Sequence, residues 1–142
     1  MFCFEGKAQI NEKCPFLVTV PMLEAMTQAY SLEEAQEMIT DYLSLLIDDN
    51  KAKALQFNFK WSNRETGDFV ILTEDIRFIG IMLKRKRQAR GMTLKQSADL
   101  LGAKSANSIA AYENNQREPS ISKLEKLLNV YNERLSLRSI VS

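Results

Sequence analysis

The sequence predicts an α+β protein in two parts: a small antiparallel sheet with one helix packed on it, then an all-α half that closes on a short C-terminal strand. Three observations carry this expectation. Extended, β-prone runs flank a single stretch of helical period before residue 73, whereas only helical periods follow it until the tail. The second half has the punctuation of short helices, with capping residues at their starts and glycines at their ends. The charge also divides, with 6 basic against 13 acidic residues in 1–75, a net −7, and 13 against 5 in 76–142, a net +8.

Phe2 to Ile10 and Phe16 to Val20 are β-prone and are separated by Asn11-Glu12-Lys13-Cys14-Pro15, so they read as a hairpin. Pro21 ends the second run, and Leu23 to Gln28 is the weakest strand signal of the first half. Ser31 with Glu34 three residues on is a capping-box pattern. Leu32, Ala35, Ile39, Tyr42, Leu43 and Leu46 then recur on one helical face, with Glu33, Glu37 and Asp41 opposite, and Asp48 to Lys51 ends the helix. Leu55 to Trp61 alternates and Phe69 to Leu72 is β-prone, with a turn-like Ser62 to Asp68 between them. The order ββ(β)αββ places the helix on one sheet face.

Thr73-Glu74-Asp75 reads as a hinge and as a helix start, with Thr73 or Asp75 as N-cap. Ile76, Ile79, Met82 and Leu83 give the first helix of this half its inward face, and Lys84 to Arg87 with Arg90 crowd its end before Gly91. Thr93 with Gln96 opens the next helix, Leu94, Ala98 and Leu101 face inward, and Gly102 stops it. Ser105 starts a third helix holding Ile109 and Tyr112, and a fourth runs from about Ser120 through Ile121, Leu124, Leu127, Leu128 and Tyr131. The tail from Arg134 to Val141 alternates and reads as a strand, pairing across a two-fold axis or within the subunit. The predicted boundary gives domains 1–73 and 74–142.

Composition narrows the chemistry. The 142 residues include no histidine, which removes histidine-liganded metals, Ser-His and Cys-His nucleophiles and the commonest general base. Cys3 and Cys14 form no CxxC pair and read as reduced thiols. RNase-type two-metal chemistry needs converging carboxylates. The candidate strands offer only Glu5 and Glu24, with Asp41, Asp48 and Asp49 on the helix's outer face or end. No catalytic residue, metal or cofactor is therefore expected. No apolar run approaches the roughly 20 residues of a membrane span, and MFCFEGKAQ lacks the features of a signal peptide, so a cytoplasmic protein with no membrane partner is expected.

Short helix, glycine turn, short helix is the pattern of a helix-turn-helix. The run RKRQARGMTLKQSADLLGAKSANSIAAYENNQREPSISKLEKLL resembles the XRE family, of the Cro and phage-repressor type, at Gly91, Thr93, Ala98, Gly102, Ile109, Tyr112-Glu113-Asn114, Arg117, Pro119-Ser120 and Leu124. The resemblance implies operator-DNA binding. It gives Arg87 and Glu113 the role of a partly buried ion pair, Ser105 that of a helix cap, and the amides near Ser105 and Gln96 that of phosphate holders. Asn114 and Arg117 match positions that touch phosphate. Ala106, Asn107 and Ala111 match positions facing base edges, with Ser108 beside them. The spacing from Gly102 to Tyr112 is one residue longer than usual, which leaves Ala106, Asn107 and Ser108 as alternatives for the groove-facing position.

In the first half, KCPFLVTVPMLEAMTQAYSLEEAQEMI resembles the HicB antitoxin family at Thr27-Gln28 and Glu33-Glu34-Ala35, with Ala29 where the family has glycine. This resemblance implies a degenerate RNase H-like fold without nuclease activity that binds a small, basic, HicA-like RNA-cleaving toxin. The acidic balance of residues 1–75 suits such a partner. Together the two resemblances imply an antitoxin that represses its own operon as a homodimer or higher oligomer. A phage-type or metabolic repressor whose first half binds a ligand or dimerises is the alternative.

Overall fold

The computed structural model describes residues 1–47 and 53–134. Among these the chain divides into two compact units, residues 1–75 and 76–134.

In the first unit β1 (Phe2–Ala8), β2 (Phe16–Val20), β3 (Ala25–Ala29), β4 (Asn58–Asn63) and β5 (Asp68–Thr73) form one sheet in the order β3-β2-β1-β5-β4, with every pair antiparallel. Because alternate residues of a strand share a face, the pairs Phe4 with Ile71, Ala8 with Val18 and Val18 with Thr27 line up one apolar side. Phe4, Ala8, Phe16, Val18, Val20, Phe69 and Ile71 are buried on it. Helix α1 (Leu32–Ser44) lies over β3 and β2 and closes this side with Ala35, Ile39 and Leu43. Gly6 opposes Phe69, and a Cβ there would overlap the Phe69 ring, so the glycine makes room for that ring. Phe69 in turn stacks on Phe59, 4.7 Å between centroids, and Trp61 meets both rings edge-on.

Several boundaries differ from expectation for local reasons. β1 stops at Ala8 rather than Ile10 because the Ile10 amide turns back to the Ala8 carbonyl. The third strand starts at Ala25 rather than Leu23, since Pro21–Leu23 forms a single 3₁₀ turn and Glu24 adopts a left-handed φ of 51° to leave it. β4 starts at Asn58 rather than Leu55. The main chain at Gln56 is committed to side chains, its amide to the Asp75 carboxylate and its carbonyl to the Thr73 hydroxyl. Ser31 caps α1 by accepting from the Glu34 amide at 3.1 Å, as expected, but the helix ends at Ser44 and leaves Leu46 beyond it. The predicted stop at Asp48 to Lys51 lies outside the described residues.

The second unit is all-helical: α2 (Arg77–Ala89), α3 (Leu94–Leu101), α4 (Ala106–Glu113) and α5 (Ile121–Val130). Phe78, Ile79, Met82, Leu83, Ala98, Ile109, Leu124, Leu127, Leu128 and Tyr131 form its core. Thr73 does not cap α2. Thr73 belongs to β5, its hydroxyl and the Asp75 carboxylate serve Gln56, and Ile76 holds the N-cap position without a side-chain bond. Thr93 and Gln96 form the full reciprocal capping box at α3, and Ser120 caps α5 by accepting from the Lys123 amide. Ile121 is 63% exposed as the first residue of α5. The predicted terminal strand falls on residues 135–141, outside the described residues, apart from Arg134.

Candidate nucleic-acid interface

Helices α3 and α4 are joined by four residues, Gly102 to Ser105. Gly102 takes a φ of 74°, a conformation that costs other residues about 1 kcal/mol or more, and this lets the Ala103 amide reach back to the Ala98 carbonyl at 2.9 Å. Ala98 is fully buried, and its small side chain lets the two helices approach closely. The turn ends at Ser105, the N-cap residue, and α4 begins at Ala106.

On α4 the buried residues are Ile109, Tyr112 and Glu113. At about 100° per residue, Asn107 and Ala111 lie about 160° to either side of Ile109 and so project away from the core. Asn107 is exposed, while Ala106 and Ser108, on the flanks, are half-buried. Of the three alternatives for the outward position, Asn107 is thus the one that points straight away from the domain. Asn114, at the C-cap, and Arg117, in the following loop, are exposed at the other end of the helix. Gln96 is exposed on the first turn of α3, but its side-chain oxygen accepts from the Thr93 amide at 2.8 Å, so only its amide group is left for a phosphate. Ser105 sits at the N-cap as expected, yet its hydroxyl makes no capping bond. The helix start therefore leaves its first amides without that intramolecular acceptor, and they are oriented as an anion site needs them.

A buried ion pair holds α4 in place. Arg87 Nε and Nη2 donate to the two Glu113 carboxylate oxygens at 2.8 and 3.0 Å, and Nη1 donates to the Met92 carbonyl at 2.9 Å. The Glu113 side chain is only 4% exposed and that of Arg87 12%. The bonds to Glu113 hold the Arg87 guanidinium above its ordinary range against the opposing effect of burial. The pairing assigned to these two residues is therefore formed, and Arg87 is turned inward. Gly80 completes the fit: a Cβ there would overlap the Glu113 carbonyl and come within 2.9 Å of the Asn115 side chain, so only glycine lets α2 lie against the end of α4. Beside the pair, the fully buried Tyr131 hydroxyl has no hydrogen-bond partner among the described residues. Burial pushes its pKa up, tempered by the Ser97 hydroxyl, which stands nearby but short of a hydrogen bond.

The basic run in α2 is largely structural rather than a phosphate face. Besides Arg87, Lys86 is 3% exposed and donates to Glu133 at 2.8 Å, while Arg90 Nε donates to the Tyr131 carbonyl at 2.8 Å. Exposed cations nearer the α3–α4 face are Lys95, on the first turn of α3, Lys104, in the turn, and Arg117. Lys95 and Lys104 lie outside the residues expected at the interface, although their places beside a capping residue and in the turn carry the signal.

Two short helices crossing at a glycine turn, with the second helix's polar residue aimed outward and its inner face pinned by an ion pair, define a helix-turn-helix DNA-binding domain. Residues 83–137 match the family model described as Helix-turn-helix. No curated protein sequence matches the chain. The helix-turn-helix is of the XRE type, and the protein is a DNA-binding transcription regulator. Among the described residues, no helix is long and apolar enough to cross a membrane.

Proposed function

We propose that the protein is the antitoxin of a type II toxin–antitoxin pair. Its first unit binds and neutralises a small, basic, HicA-like RNA-cleaving toxin, and its second unit, acting as a dimer, represses the shared operon. The observation that carries the DNA half is Asn107, set opposite Ile109 on α4 with Arg117 and Asn114 at the helix end. Asn107 is suited to adenine through its N6 and N7 edge, and Ala111 to a thymine methyl. Gln96 and the amides at Ser105 are suited to phosphate, which positions the helix without reading sequence. With so few base-reading side chains, a single half-site gains modest direct specificity. A palindrome with half-sites roughly 10 base pairs apart, or a multiple of that, and DNA shape supply the rest.

The toxin half is supported by the order of elements around Thr27-Gln28 and Glu33-Glu34-Ala35 and by the net −7 of residues 1–75. A complementary field speeds the encounter with a basic partner. The chain acts without catalysis or cofactor in this reading. The Cys3 thiol is held above its usual range, first by burial and then by the Glu5 carboxylate, which suits an inert side chain rather than a nucleophile.

Co-expression with the small reading frame adjoining the gene tests the proposal. Relief of growth arrest together with a co-purifying complex is the expected result. Arrest that persists, with operator binding instead responding to a small ligand, would replace the antitoxin reading by that of a ligand-controlled repressor.

A further inference from the structure

We propose that the first unit pairs with a second copy of this chain through β3, edge to edge about a two-fold axis at Thr27. The inference stands on the first unit alone and is independent of whether that unit also binds a toxin. Among the described residues β3 and β4 are the outer strands of the sheet. Outer strands carry main-chain groups open to pairing, and proteins blunt them with charges, prolines or bulges. β4 is blunted twice, by Lys60 in its middle and by the register shift between Trp61 and Asn63. β3 reads Ala-Met-Thr-Gln-Ala, with no charge, proline or bulge.

The register shows which groups are open. The Gln9 amide donates to the Leu17 carbonyl at 2.8 Å, so the main chain of Leu17 faces β1. By the alternation of an antiparallel ladder, Phe16, Val18 and Val20 then face β3, where they oppose Ala29, Thr27 and Ala25. The amides and carbonyls of Met26 and Gln28 consequently point outward. A second β3, antiparallel about Thr27, sets Met26 against the second copy's Gln28 on both sides of the axis, and each of these two pairs exchanges both N–H···O bonds. Thr27 meets Thr27 at the closely spaced position, a favourable cross-strand pair, and Ala25 meets Ala29. No like charges face each other within the strand.

The apolar surface around this edge points the same way. Met26, Tyr30, Met38 and Leu45 are 57%, 65%, 38% and 78% exposed. Glu33 of α1 reaches Arg64 in the β4–β5 turn at 3.0 Å, which turns that flank of the helix toward β4 and β5. At about 100° per residue, Met38 and Leu45 lie on the opposite flank, on the side of β3, together with Glu34 and Asp41. With strands about 4.8 Å apart, pairing through β3 brings the two α1 helices side by side and covers Met38 and Leu45, while Met26, on the sheet face away from α1, packs beside the second copy's Gln28.

Two measurements on the full chain decide the matter. In a Cys14→Ser background, Thr27→Cys is expected to give a disulfide-linked dimer in most molecules under mild oxidation. Met26→Cys, which faces residue 28 of the second copy, is expected to give at least about tenfold less, because only the residue on the axis brings two Cα atoms within disulfide reach. Added to Thr27→Cys, the surface pair Met26→Lys/Leu45→Glu is expected to cut that cross-linking at least about tenfold, a readout that a dimer held by the second unit does not supply. Equal cross-linking at Thr27→Cys and Met26→Cys, no cross-linking at Thr27→Cys, or cross-linking unchanged by the surface pair would overturn the proposal. No cross-linking at Thr27→Cys, combined with loss of a co-purifying toxin in the surface variant, would assign the edge to that partner instead.

Discussion

Replacing Arg87 with alanine would strand the Glu113 carboxylate, 4% exposed, without its counter-ion and without two of its hydrogen bonds. Breaking a buried pair from one side costs about 3–5 kcal/mol, because the remaining charge stays desolvated. The Met92 carbonyl would also lose its donor. A domain of this size loses roughly 4–8 °C of Tm per kcal/mol, so the second unit should melt at least about 12 °C lower. Removing both charges with volume kept, as in Arg87→Met/Glu113→Leu, should recover most of that loss, since apolar replacement of a whole buried pair is often neutral. Thermal unfolding followed by circular dichroism measures both. A Tm within about 3 °C of the unmodified protein for Arg87→Ala, or a double variant no more stable than the single one, would refute the reasoning. DNA affinity measured well below the lowered Tm should keep its preference for operator over scrambled sequence, since Arg87 faces Glu113 and not the groove.

Other expectations follow from the same geometry. Thr93→Ala should cost about 0.5–2 kcal/mol by removing a formed capping box, whereas Ser105→Ala, whose hydroxyl caps nothing, should leave Tm nearly unchanged and weaken DNA binding if that hydroxyl meets a phosphate. Tyr131 has a pKa raised by burial, so the folded state holds its proton more tightly than the unfolded chain. The stability this contributes is complete below about pH 10 and is lost as pH rises from there through the folded-state value. Tyr131→Phe should remove that alkaline loss in denaturation measured against pH, and at neutral pH it should leave stability equal or higher, since the hydroxyl it deletes is buried and unbonded. Asn107→Ala should relax sequence preference by about 1–3 kcal/mol at one base pair, read by competition between operator variants; an equal loss on operator and scrambled DNA would exclude a base contact.

Much of this arrangement was legible from residue patterns, and the misreadings share a cause. Helix starts with a side chain and a matching amide three residues on, at Ser31, Thr93 and Ser120, were readable because the interaction is local. The same logic misplaced the start of α2. Thr73 has capping chemistry, but it lies in β5 and its hydroxyl is engaged by Gln56, 17 residues away, a contact no local window contains. Within the basic run from Lys84 to Arg90, only Arg87 had a partner readable beforehand, through the helix-turn-helix resemblance. Glu113 and Glu133, brought in by α4 and the end of α5, take Arg87 and Lys86 out of solvent. Gly80 gave no signal at all, since its role depends on the Glu113 carbonyl arriving from another helix. The outward aim of Asn107 needed the length of the turn after Gly102, which sequence spacing left open by one position.

The central claim is that the second unit reads a specific DNA sequence through α4 while lysine and arginine supply the bulk of the affinity. Binding of the full chain to the DNA upstream of its own gene, against a scrambled duplex of equal length and at two salt concentrations, tests it most directly. A preference of about 10³-fold or more for the upstream sequence is expected, with both affinities falling steeply as salt rises. Equal affinity for the two duplexes at both salt concentrations would contradict it.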